Sequence, residues 1–313
     1  MDAPVSIDLM KPLTKLVDVI ANAIGVLYEP HQLVRMAHAE AKADRIKAIE
    51  HAKTEAILAN DIDKYSQLSA IEQRMVIIEQ KRQANIMNII GVATQLIKNE
   101  KDITSEPVNP DWATRFFDIS QDISDEAMQN LWGRILAGET KQPGSYSLRT
   151  LDTLRNISPE EAALFEEMAN FVLYNGSHFV FNGSYHKLEQ LGIMYYKIAT
   201  LIEAGLVQPG STVRHHFYIK DNKPTNHYMS YANYIVEVNQ PTNLPTLSMP
   251  IYILTQMGQE IYGLIQPKPN LEYLALIAQY LKKNDDLKIH YAPIESIDAN
   301  GDIHYKEESF IEL

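Results

Sequence analysis

Apolar residues recur at steps of three and four from the start of the chain. Leu13, Leu16, Val17, Ile20, Ile24 and Leu27 fall on one helical face. They predict an amphipathic helix that ends at Gly25 or near Pro30. This face has two uses: it inserts into a membrane surface, or it packs on its own protein or a second copy. Lys15 and Asp18 interrupt the run well short of the ~20 apolar residues a span requires, which favours packing.

Between Pro30 and Gly91 there is neither glycine nor proline. A stretch this long could form about 90 Å of helix at 1.5 Å per residue. A break at Asn60-Asp61-Ile62-Asp63 would fold it into a hairpin instead. Ala37, Ala41, Ala48, Ala52 and Ala59 repeat at steps of four and seven, which keeps a small-residue stripe nearly straight on a helix. Ile71, Met75, Ile78, Ile86, Ile89 or Ile90, Ala93 and Leu96 extend a broader apolar face. Such a face needs a hairpin partner or another protomer. Ala37, Ala41, Ala48, Ala52, Ala59, Ile71, Met75 and Ile78 are therefore the candidate oligomerisation residues.

The polar segment from Lys98 to Pro110 predicts a linker and a domain boundary near residue 104. Asn109-Pro110-Asp111 starts a helix that carries Trp112, Phe116 and Phe117. A second helix starts at Ser124 with Asp125 and Glu126 in its first turn, presents Met128, Leu131, Trp132, Ile135 and Leu136, and is expected to stop at Gly138. After a turn at Lys141–Tyr146, Ser147 caps a helix with Leu148, Leu151 and Leu154. Ser158-Pro159-Glu160-Glu161 has capping-box spacing, and a helix through Val172 follows it.

Beyond Asn175-Gly176 the period changes. His178–Phe181 reads as a strand, and 188–207 as helix, turn and helix closed by Gly205. Further strands are expected at 216–220, 234–238 and 251–254, then helices at 255–265 and 271–281. Finally Leu287–Ala292 is expected to pair with Ile303–Lys306 across Asn300-Gly301. The cadence LxxLG…LxEAGLV…YILTxxGxEIYGLI resembles a winged-helix unit. The loop between its strands is long and contains Pro224, Pro241 and Pro245.

Charge narrows the partners. The chain has 28 Lys and Arg against 40 Asp and Glu, a net charge of -12. Residues 1–104 hold 13 of the basic and 14 of the acidic side chains, leaving 15 and 26 for the rest. Nucleic-acid affinity comes mostly from phosphate neutralisation, so the acidic C-terminal part disfavours it. Arg214, His216, Lys220 and Lys223 form the one modest basic wing and are the candidate nucleic-acid residues. The helix preceding them, 193–204, has the composition of a buried or protein-facing element. Seventeen tyrosines suit an interface as well as a core.

The absence of cysteine excludes disulfides and thiolate chemistry. The opening MDAPVSIDLMKPLTK lacks the pattern of a secretory leader. Ten histidines occur without metal-ligand spacing, and adjacent His215 and His216 would point to opposite faces of a strand. No phosphate-cradle or hydrolase-elbow motif occurs. The expectation is a cytoplasmic protein with no catalytic, cofactor-binding or metal site and no cofactor.

Trp112, Arg115, Phe116, Ser124–Met128, LWGRILAGE at Leu131–Glu139, PGSYSLRTLDTL at Pro143–Leu154 and SPEEA at Ser158–Ala162 resemble a bacterial family of unknown function. Its members also carry an upstream YEP element, here Tyr28-Glu29-Pro30. The run ILAGE…SLRTLDTLRNISPEEA is loosely similar to the abortive-infection alpha family, without that family's His-Pro. These resemblances imply a bacterial protein of antiviral defence that acts by assembly or contact.

The sequence thus predicts a mainly α, α+β fold with two parts. Residues 1–104 form a long helical arm or hairpin, and residues 105–313 a helical core with a winged-helix-like α+β C-terminal part. The expected function is a non-enzymatic homo-oligomer with a protein partner. The alternatives are a membrane-acting effector using the first helix and a DNA-binding regulator using the wing.

Overall fold

The computed structural model describes residues 7–25, 30, 32–34, 70–183, 185–210, 213–282, 286–298 and 302–313. They form a mixed α+β protein of two compact units, 1–155 and 156–313. The predicted alanine stripe from Ala37 to Ala59, the break at 60–63, Leu27 and Asn300-Gly301 lie outside the described residues.

The first unit is helical. Its described helices are, in chain order, α1 (Ile7–Ile24), α2 (Ala70–Ile97), α3 (Pro110–Ser120), α4 (Glu126–Lys141) and α5 (Leu148–Asn156). α1 lies against α3 and also touches α4 and α2, while α2 runs along α4. The core is a cluster of rings: Trp112 stacks on Phe116 at 5.1 Å, and Phe116 meets Trp132 at 5.3 Å. α2 and α4 approach closely at Gly133, where a Cβ would lie 2.5 Å from the Val92 side chain. Glycine at this point of the LWGRILAGE run is what lets the two backbones approach.

Three features of this unit depart from expectation. The boundary falls after Arg155 rather than near 104, because segment 98–109 is strapped onto α4. Thr104 N–H donates to the Lys141 carbonyl at 3.2 Å, Lys141 pairs with Glu100 at 2.9 Å, and Ile103 and Val108 are buried. A polar, proline-flanked sequence reads as a linker whether it hangs free or is tied down. α4 is capped by Asp125, whose carboxylate accepts from Met128 N–H at 2.9 Å, and not by Ser124. It also runs past Gly138 to Lys141. A Cβ at Gly138 would lie 2.7 Å from the Tyr146 hydroxyl, so this glycine makes room for a ring and does not end the helix. By contrast, Asn109 caps α3 as predicted, accepting from Asp111 and Trp112 N–H at 2.8 and 3.2 Å.

The second unit opens with α6 (Pro159–Ala169). The predicted capping box is complete: Ser158 Oγ accepts from Glu161 N–H at 3.2 Å, and the Glu161 carboxylate accepts from Ser158 N–H at 2.7 Å. Next come β1 (Val172–Tyr174), β2 (His178–Phe181), α7 (Tyr185–Gln190), α8 (Tyr195–Glu203), β3 (Arg214–Tyr218), β4 (Thr225–Tyr231), β5 (Tyr234–Gln240), β6 (Thr246–Ile253), α9 (Gln256–Tyr262), α10 (Leu271–Leu281) and β7 (Lys288–Pro293). The chain ends with the short strands β8 (Ser296–Ile297), β9 (Ile303–His304) and β10 (Ile311–Glu312).

Among the described residues, eight strands form one antiparallel sheet in the order β10-β7-β5-β4-β1-β2-β6-β3. α10 packs on β6 and buries Tyr273, whose hydroxyl accepts from Phe181 N–H at 2.7 Å. The proline-bearing loop expected between the wing strands contains the β4–β5 hairpin, paired from Thr225↔Gln240 to Tyr231↔Tyr234. Its strand Thr-Asn-His-Tyr-Met-Ser-Tyr is too polar to stand out by alternation. The final hairpin also differs from expectation. β7 pairs with β5 and β10 inside the main sheet, and the partner of Ile303–His304 is Ser296–Ile297.

Candidate functional site

α2 changes character along its length. From Asn85 to Ile97 its buried face, with Ile86, Ile89, Ile90, Ala93 and Ile97, packs within the first unit. A polar clamp secures the turn where packing begins. Asn85 Nδ2 donates to the Gln121 carbonyl at 2.8 Å, Gln129 Nε2 donates to Asn85 Oδ1 at 3.0 Å and to the Ile123 carbonyl at 2.8 Å, and Asn88 Nδ2 donates to Gln129 Oε1 at 3.0 Å. Arg82 holds Asp122 through two hydrogen bonds, 2.8 and 3.3 Å.

N-terminal to that clamp, no residue from Ala70 to Ala84 is buried, a length of about 22 Å. Ile71, Met75 and Ile78 are 73, 64 and 36% exposed, and Val76 and Ile77 are also open. Of the candidate oligomerisation residues, these three are within the described chain, and they lie on one stripe that is not buried among the described residues. The stripe is the same helical face that continues through Asn85 and Ile89 into the core.

The first-helix face lies elsewhere. Leu13, Leu16, Val17 and Ile20 are buried and Ile24 is half-buried, within a helix packed against α3. Lys15 Nζ donates to the Thr104 carbonyl at 3.0 Å, and burial lowers its pKa against the opposing pull of Glu106 and Glu139. Among the described residues, no helix is long and apolar enough to cross a membrane.

The wing residues sit on and after the edge strand β3. Arg214 is engaged within the sheet, its Nε donating to Ser248 Oγ at 3.0 Å and its Nη2 to the Ser248 carbonyl at 3.1 Å. His216 is exposed and stacked with Tyr218, ring centroids 5.8 Å apart. Lys220 and Lys223 are exposed at the ends of a tight turn closed by Lys223 N–H on the Lys220 carbonyl at 2.9 Å, with Asp221 between them. The helix before the wing begins with exposed Met194, Tyr195 and Tyr196. Its next residue, Lys197, is paired with Glu167. The four basic positions therefore bring together a short mixed-charge edge beside an aromatic one, and no continuous cationic track.

Two carboxylates sit at the centre of hydrogen-bonded groups that no motif in the sequence marks. In the first unit, Glu139 is buried and accepts from Gly144 N–H at 2.7 Å and Tyr146 N–H at 3.0 Å, while Trp112 Nε1–H donates to the Tyr146 carbonyl at 2.8 Å. Glu139 thus organises the turn between α4 and α5. In the second unit, Glu237 accepts from the Tyr228 hydroxyl at 2.9 Å and Asn226 Nδ2 at 2.8 Å, with His290 Nδ1 at 3.4 Å. That last distance is an ion-pair spacing only; Nδ1 of His290 makes no hydrogen bond. Desolvation, with the carboxylate nearby, pushes the Tyr228 hydroxyl up to about 12, so it stays protonated and acts as a donor. One Glu237 oxygen already accepts two hydrogen bonds, and the cluster ties β4 to β5 and β7. Among the described residues, no group of three His, Asp or Glu side chains could hold a metal ion.

A family model described as Protein of unknown function (DUF2806) matches residues 69–278. No curated protein and no solved structure matches the chain.

Proposed function

We propose an assembly function for this chain, which belongs to the family described as Protein of unknown function (DUF2806): the free half of α2 pairs with the same half-helix of a second copy. The observation that carries this reading is the stripe of Ile71, Met75 and Ile78, 36 to 73% exposed among the described residues. Steps of four, three, four and three from Ile71 through Met75, Ile78 and Arg82 to Asn85 are heptad steps. They place Met75 at a and Ile71 and Ile78 at d, and the free seam ends at the next a and d positions, where Arg82 is held by Asp122 and Asn85 is buried within the first unit.

The flanks select the partner. Glu72 and Glu79 then occupy e, and Arg74 and Lys81 occupy g, so one flank is acidic and the other basic. In a parallel pair g faces e of the other helix, setting Arg74 against Glu79 of the second copy. An antiparallel pair would set like charges together. A surface complementary to itself in one orientation is suited to a closed homodimer.

The second unit supports a winged-helix-like reading of its own. Its strands β2, β6 and β3 lie side by side, with α7 and α8 between β2 and β3 in the chain and the β4–β5 hairpin inserted before β6. The exposed start of α8 is Met194-Tyr195-Tyr196, and Arg214 is spent on Ser248. This composition favours a protein partner over a DNA duplex. The membrane reading is weaker, since its face is packed in the first unit. A place in anti-phage defence rests on the likeness of the ILAGE…SPEEA block to the abortive-infection alpha family.

The absence of cysteine gives a clean test. A Met75→Cys variant should cross-link to a disulfide dimer under mild oxidation, because a positions face each other in a parallel pair and a disulfide needs Cα atoms within about 7 Å. A variant that stays monomeric on a non-reducing gel contradicts this pairing.

A further inference from the structure

The second unit contains an apolar cavity of about 210 Å³ between α6 and the α7–α8 turn. Leu164, Met168, Phe171, Ile193, Ile198 and Leu201 supply its apolar wall. Most of these lie on the inner faces of α6 and α8, two helices that touch without filling the space between them. At the rim, Lys197 Nζ of α8 donates to the Glu167 carboxylate of α6.

The two ends of that ion pair differ. Both residues border the cavity, but the Lys197 side chain is 19% exposed whereas the Glu167 side chain is 61% exposed. A carboxylate that far out in water gives up a surface pair at little cost. The ammonium is held by its packed stem and still needs an anionic or polar partner. Any anion that brings its own apolar body into the cavity can therefore replace Glu167.

We propose that this cavity is a binding site for a small aromatic carboxylate, its ring among Met168, Phe171 and Ile198 and its carboxylate on Lys197. Size sets the class. An apolar cavity of about 150 Å³ holds benzene, so about 210 Å³ holds one substituted ring and excludes a long acyl chain. Charge sets the head group, because Lys197 supplies the positive charge at the rim and Glu167 already shows what it accepts.

Phenylacetate is the probe, titrated into the full chain carrying ¹³C-methyl methionine, with the Met168 methyl resonance as the readout. Saturable movement of that resonance is expected, with binding at least threefold tighter in Glu167→Gln, which removes the competing charge. Lys197→Met should weaken phenylacetate at least tenfold while leaving uncharged ethylbenzene unaffected. If Lys197→Met does not fold, Glu167→Gln decides alone, since its substitution is at an exposed position. No movement of the Met168 methyl at about 10 mM phenylacetate, a very weak binding limit, would overturn the proposal. So would equal affinity in wild type and Glu167→Gln, or ethylbenzene and phenylacetate weakened alike by Lys197→Met.

Discussion

Glu139 shows how much one residue can organise. Its buried carboxylate takes two backbone N–H groups, from Gly144 and Tyr146, and so fixes the turn that returns the chain from α4 to α5. Replacing it with Gln leaves one of those donors facing an amide, at a cost of about 1.5 to 3 kcal/mol for hydrogen bonds to a charged group. Urea denaturation of Glu139→Gln should show that loss, and an unchanged midpoint would mean the turn holds itself. Three histidines set a pH dependence. Burial lowers His178, His215 and His227 from 6.5, with His227 and His216 adding to the effect at His215 and Lys220 at His227. When the folded-state pKa lies below the unfolded one, the unfolded chain binds more protons as pH falls, so stability is lost. Stability should be level above about pH 7 and decline as pH drops through 6.5 towards the depressed folded values. The denaturation midpoint should be lower at pH 5.5 than at 7.5, with a shallower fall in His215→Asn. Neither effect was legible in the sequence. Glu139 reads as a solvated acid near a helix end, and the histidines as scattered, because only the fold brings Phe179 within 5.0 Å of the His215 ring and Gln240 within 2.8 Å of His227.

At the scale of elements, local signals were reliable where a side chain bonds its own neighbourhood. The Asn109 cap, the Ser158–Glu161 box and the helix Leu271–Leu281 could all be read from spacing. Elements decided by distant partners could not. β4 looks like a polar loop until β5 supplies its hydrogen bonds, and β7 joins the main sheet through β5 rather than pairing with the chain end first expected. Glycines carry the same ambiguity: Gly138 reads as a helix end, yet it sits within α4, as does Gly133. At Gly133 a methyl would meet the Val92 side chain at 2.5 Å and the Ile89 carbonyl at 3.1 Å. Gly133→Ala gains about 1 kcal/mol of helix propensity but forces α2 from α4, with overpacking costs of about 1 to 3 kcal/mol. Net destabilisation is expected because Val92 is β-branched and Ile89 presents backbone. A thermal midpoint above wild type would show that the helices part freely.

For the whole molecule, the arm expected to be separate from the core is partly integrated with it. α1 and the C-terminal half of α2 belong to the first unit, so removing residues 1–104 would dismantle a core rather than release a domain. Among the described residues, the part of α2 left exposed is Ala70–Ala84, and its apolar stripe was legible because Ile71, Met75 and Ile78 recur at steps of four and three. Which portion is buried was not legible, since that depends on where the rest of the first unit packs against the helix. The central claim is that this free half-helix joins two copies. Mass by light scattering, over a range of concentrations, should be compared between the wild type and an Ile71→Asp/Met75→Asp/Ile78→Asp variant. These positions are exposed, so each substitution should change folding by only about 0.5 kcal/mol. A wild-type mass of twice the 35.6 kDa chain, falling to one chain in the variant, is the predicted result. Equal masses for the two proteins would contradict it.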